Sequence, residues 1–143
     1  LSSAGSVTLL GYASRTDAPA ERSLAHYEPP LLMFRAPMTQ GDTWKTSAKL
    51  SGSSFLGPID QDDEYTATVD AGGTMLSPAG SLAVLRVNGL ATRTDAGVTE
   101  AHRQQYYLAE CRGIVGAVVS ETLLGSEPPP DFSLADEIAR LEN

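Results

Sequence analysis

The sequence predicts an all-β fold, about seven strands paired antiparallel in one sheet, followed by a proline linker and a short C-terminal helix. Three observations carry that expectation. Gly, Pro, Ser and Thr punctuate the chain at short intervals, and the runs between them are short and rich in β-branched residues. Several of these runs alternate apolar and polar residues with a period of two. The connections are brief, which makes pairing of chain neighbours the natural outcome.

Taken in order, SVTLLGYAS (residues 6–14) is a first strand, and RTDAPAERS is the loop after it. Leu31 to Arg35 lies between prolines in HYEPPLLMFRAP, which fits an edge or short strand, since proline cannot donate to a ladder. In GDTWKTSAKLSG, Trp44, Thr46, Ala48 and Leu50 make one face, and Thr43, Lys45, Ser47 and Lys49 make a wet one. DEYTATVDAGGTML is the cleanest half-buried strand, with Tyr65, Ala67 and Val69 opposed to Glu64, Thr66, Thr68 and Asp70. Its Gly72-Gly73 pair reads as a bulge or bend. The residues Ser77 to Gly80 suit a type I turn. Next, SLAVLRVNGLATRT turns Leu85 and Val87 one way and Arg86 and Asn88 the other. TDAG reverses the chain, TEAHRQQYYLAE follows, and GIVGAVVSETLLG is apolar enough for a strand covered on both faces.

Residues 1–125 are therefore the β domain, and residues 126–143 the linker and helix. GSEPPPDF cannot be helical and runs extended. SLADEIARLEN then carries a helix start, with Ser133 as N-cap and Asp136 three residues on. Leu134, Ile138 and Leu141 fall at i, i+4, i+7 and form one apolar stripe. So short a helix is marginal alone and must dock, which makes these three the expected partner-binding residues.

The formal net charge is −8, from 18 acidic and 10 scattered basic residues. That is the wrong sign for gripping phosphate backbones or anionic lipid, so nucleic acid is excluded as a partner. One cysteine can make no internal disulfide and no cysteine-rich zinc site. No apolar run approaches the ~18 residues that span a bilayer as a helix, so no transmembrane segment is expected. The opening Leu-Ser-Ser-Ala-Gly-Ser, without methionine, reads as a processed or trimmed product and is a clue to export.

Candidate chemistry is sparse. A thiol nucleophile needs a base within hydrogen-bond reach. The only histidines are His26 and His102, and on a shared strand His102 would stand ~30 Å from Cys111. Cys111 therefore reads as a small buried hydrophobe at a strand bend. In DQDDE (residues 60–64), Asp60, Asp62 and Glu64 mimic the first ligands of an EF-hand loop. Tyr65 and Ala71 then stand where that loop needs Gly and Glu, leaving a solvated hairpin end as the reading and a looser calcium site open. The glycines lack the Gly-Lys-Ser/Thr of a phosphate loop. Tyr106 and Tyr107 must point to opposite faces of a strand, so one of them, with Trp44, is available for recognition. No catalytic residue, metal or cofactor is assigned.

In fixed order the chain carries YEPPLLMFRAPMTQGDTW, GGTMLSPAGSLAVLRV and QYYLAECRGIVGAVVSE. This resembles a class of bacterial envelope proteins, often lipoproteins, with a Tyr-x-Pro-Pro start, Gly-x-x-Trp, a Pro-Ala-Gly turn and a closing Tyr-Tyr-x-Ala-x-x-x-Gly-x-Val. The matching residues are Tyr27, Pro29, Pro30, Gly41 and Trp44; then Pro78, Ala79 and Gly80; then Tyr106, Tyr107, Ala109, Gly113 and Val115. The resemblance spans roughly residues 24–124. It implies a strongly curved sheet or partial barrel, exported to the periplasm or outer envelope, and brings no catalytic set. Cys111 and Arg112 depart from it, replacing a small apolar or Pro-Gly step, and the C-terminal helix lies outside it.

Three functional classes follow. The first is a non-enzymatic envelope module, an accessory or assembly subunit that binds another protein. The second is a half-barrel carrier of an apolar ligand, lipid or lipoprotein, with the C-terminal helix as its lid. The third is a hydrolase built on His26 or His102.

Overall fold

The computed structural model describes residues 5–16, 18, 21–77 and 80–140. Nine strands form one antiparallel sheet that does not close. The strands β1 (Gly5–Ala13), β2 (Leu24–Ala36), β3 (Thr43–Ser54), β4 (Gly57–Ser77), β5 (Gly80–Asp95), β6 (Val98–Ala109) and β7 (Gly113–Ser120) lie side by side in chain order. β8 (Leu123–Leu124) returns to pair with β6, and β9 (Ala135–Arg140) pairs with β7. Tight hairpins make this meander. At the β5–β6 turn, Ala96 and Gly97 have φ of 47° and 83°, the two left-handed residues that match the twist of a two-residue hairpin.

Alternation decides which face is covered. Trp44, Ala48 and Leu50 of β3, Tyr65, Ala67 and Val69 of β4, and Val87 of β5 are buried on one face, while Lys45, Ser47 and Lys49 stay exposed. A single sheet can bury one face only by rolling onto it. The ring contact between Phe34 on β2 and Tyr106 on β6 measures the roll, with centroids 5.2 Å apart and planes at 88°. β3, β4 and β5 lie between those strands, so in a flat sheet they would stand ~19 Å apart. Gly89 permits this packing, because a Cβ there would run into the hydroxyl and ring of Tyr65.

Three local expectations are corrected. β2 is not an edge or a short strand: it runs through Pro29 and Pro30 as the second strand of the sheet. Its pairing with β3 ends at Glu28, and its pairing with β1 resumes at Leu31, so the prolines occupy a gap where no donor is needed. The bulge in β4 falls at Asp70, between Val69 and Ala71, and Gly72 and Gly73 continue the ladder opposite Leu85 and Val84. The acidic run lies within β4, and the hairpin end is at Phe55 and Leu56. The proposed turn at Pro78 and Ala79 lies outside the described residues, although Ser77 does pair with Gly80.

The C-terminal helix is not formed; among the described residues there is no α-helix, and strands number nine rather than seven. Residues 135–140 are β9, with Ile138 opposite Val118. The proline segment is docked rather than free. Pro128 is buried, and Arg103 Nε donates to its carbonyl at 2.6 Å. That anchor delivers the following residues to the open edge of β7, whose backbone groups satisfy them better than a short, marginal helix would. Leu141 lies outside the described residues.

Candidate functional site

Two features stand out, one inside the roll and one along its seam. Inside, residues of odd number on β4 up to Val69 and on β5, and of even number on β6, face inward, and this places several polar groups in the core. Asp63, almost fully buried, accepts from Arg93 Nε at 2.9 Å and Nη2 at 2.8 Å, and from the Tyr27 hydroxyl at 2.6 Å. Burial, then the bond to Asp63, pushes the Tyr27 hydroxyl up to about 12. The hydrogen bonds that it donates to Asp63 hold the Arg93 guanidinium charged against the cost of burial.

A second file runs along β6. The Tyr106 hydroxyl donates to Gln104 Oε1 at 2.8 Å, and Gln104 Nε2 stands 2.6 Å from His102 Nε2. Burial, and next the charge of Arg93, lowers the His102 pKa, so the neutral imidazole is favoured. With Gln104 Oε1 accepting from tyrosine, its amide donates to His102 Nε2, which assigns the ring proton to Nδ1. The first file, with Gln104 and His102 of the second, lines a partly open cavity of about 170 Å³, with Leu9, Leu31, Met33 and Ala91 as its apolar wall.

The seam is where the sheet fails to close. A groove of about 440 Å³ runs between β1 and β2 on one side and β6 and β7 on the other, lined by Val7, Phe34, Met38, Leu108 and Ile114. The two edges of the sheet differ. Among the described residues β1 pairs only with β2 and leaves its other edge free; it carries no charge and no proline over nine residues and exposes Val7, Leu9, Leu10 and Tyr12. β9, the opposite edge, has six residues, among them Asp136, Glu137 and Arg140.

The residues expected from sequence are scattered. Leu134, just before β9, and Ile138, on it, are 63% and 75% exposed, and no helical stripe joins them. Cys111 is at a bend, the β6–β7 turn, but it is exposed, with φ at 60°. It is too far out on the turn to pack. Asp60, Asp62 and Glu64 share the outer face of β4, where Lys49 holds Asp60 at 2.6 Å and Lys45 holds Glu64 at 2.8 Å. Among the described residues no group of three His, Cys, Asp or Glu is placed to hold a metal. Trp44 is buried, so it offers no surface platform, while Tyr106 turns inward and Tyr107 lies by Arg86 on the outer face. His26 stands 3.5 Å from Ser51 on exposed strand, with no carboxylate bonded to its ring among the described residues.

The interior polar residues were missed, though a signal was present. Asp63 shares the parity of Tyr65, Ala67 and Val69, and Arg93 that of Leu85 and Val87. Extending the alternation by one or two steps turns both inward. No protein-family model, curated protein or solved structure gives a significant match to the chain. Among the described residues no helix is long and apolar enough to cross a membrane.

Proposed function

We propose that the protein is a non-enzymatic, exported envelope module that binds another protein, taking an extended segment of that partner along β1. The observation that carries this reading is the contrast between the two edges of the roll. Natural sheets blunt a free edge with charge, proline or brevity, because an unguarded edge templates pairing with other chains. β9 is short and charged; β1 has none of those devices. A strand added to β1 would gain backbone hydrogen bonds, and side chains on its inner face would enter the adjoining groove beside Phe34 and Ile114.

Isolation from the native source, followed by mass spectrometry, is the test. A protein in fixed ratio to this one, lost when Leu10→Lys is introduced without a change in thermal stability, is the expected result. Retention of the same partner by Leu10→Lys, or isolation of the protein alone, sinks the reading.

The groove itself favours a second reading, a carrier of an apolar ligand. Its volume of about 440 Å³ is within the range of small-molecule sites. In that case native mass spectrometry finds bound lipid mass on a lone chain.

A further inference from the structure

The interior cavity is separate from the seam, and its chemistry is different. Its apolar wall is Leu9, Leu31, Met33 and Ala91, and its polar end holds Tyr27, Arg93 and His102. Tyr65 also lines it. That side chain is 1% exposed, and its hydroxyl has no hydrogen-bond partner among the described residues. Leaving a buried hydroxyl unpaired is costly, so a persistent one marks a place where something else supplies the bond.

The donors can be counted. His102 Nε2 is taken up by Gln104, which leaves Nδ1–H unpaired among the described residues. The Tyr65 hydroxyl is a second donor. The cavity therefore offers donors at a polar end and carbon elsewhere. Charge narrows the class further. Asp63 is neutralised by Arg93 and Glu64 is paired with Lys45 on the outer face, which leaves the Glu100 carboxylate among the lining residues, so an anion meets negative charge. Size sets the last limit, since an apolar cavity of ~150 Å³ holds one benzene ring.

We propose that the cavity inside the roll binds a small uncharged molecule, one ring in size, whose single carbonyl oxygen accepts from Tyr65 and His102. The apolar body lies against Leu31, Met33 and Ala91. Leu9 of β1 is part of the wall, but the site needs no strand added to the β1 edge and no protein partner, so it stands or falls apart from the function proposed above.

The test titrates acetophenone, ethylbenzene and benzoate into the full chain and follows backbone amide signals by NMR. Acetophenone is expected to give saturable shifts at Tyr65, Ala91 and His102. Ethylbenzene, which has no acceptor, binds more weakly by ~2- to 10-fold, the worth of one hydrogen bond. Benzoate does not bind. Tyr65→Phe keeps the ring and weakens acetophenone by a similar factor while leaving ethylbenzene unchanged. Ala91→Leu fills the space and abolishes binding of both; should that variant not fold, Tyr65→Phe still decides. Absence of saturable shifts with acetophenone overturns the proposal. So does equal binding by Tyr65→Phe, or a preference for ethylbenzene or benzoate.

Discussion

Asp63 and Arg93 are directly opposed across the β4–β5 ladder, and their side chains meet in a two-point contact turned into the core. The carboxylate is only 8% exposed, whereas the guanidinium is 37% exposed. The two partners therefore carry unequal risk. Arg93→Met leaves a buried carboxylate with Tyr27 alone and costs ~2–3 kcal/mol, below the usual price of an orphaned buried charge because Arg93 is partly solvated. The double variant Asp63→Asn/Arg93→Met recovers part of that loss. Urea midpoints for the three chains measure it.

His102 makes stability fall in mild acid. Burial keeps its folded pKa below the ordinary value, so the unfolded chain takes up the proton first. Stability is thus fully present above ~6.5 and declines as the pH drops from there through the folded pKa. His102→Gln removes that part of the slope. Comparing denaturation midpoints at pH 7.5 and 5.5 for both chains reads the difference, and equal slopes would contradict it.

Gly89 is expected to tolerate no side chain. Gly89→Ala drives a methyl into the Tyr65 ring and costs ~1–3 kcal/mol. In a Tyr65→Leu background the same substitution is far milder, a coupling that a double-mutant cycle measures directly.

Cys111 is an exposed thiol in a left-handed conformation. It is expected to react with a thiol reagent in the native state without any unfolding. Cys111→Val lowers stability by ~1 kcal/mol because a β-branched residue resists that backbone, while Cys111→Gly does not. Thermal melts distinguish the two.

Arg103→Met frees the carbonyl of Pro128. Amide exchange should then quicken across residues 121–140 while the protection of β3 to β5 is unchanged.

The meander itself was legible because its signal is local. Trp44 to Leu50, Tyr65 to Val69 and Leu85 to Val87 announce their buried faces in the residues themselves. What escaped depended on partners distant in sequence. Residues 133–141 have helical spacing and helix-forming residues, yet the outcome was set by the free edge of β7 and by Arg103 holding Pro128. Cys111 was placed correctly at a bend, but its exposure depended on how far the turn projects. The cavity was hidden for the same reason, since Tyr65, Arg93 and His102 converge only when the sheet rolls.

The order of the strands has a kinetic consequence. β1 to β6 each pair with the next strand in the chain, so the sheet can grow hairpin by hairpin with short loops to close. Bringing Phe34 against Tyr106 is different, since it joins residues 72 positions apart in sequence (106 − 34). The molecule can thus hold most of its ladder while still uncurled, and the step that buries its core comes when the sheet is already long.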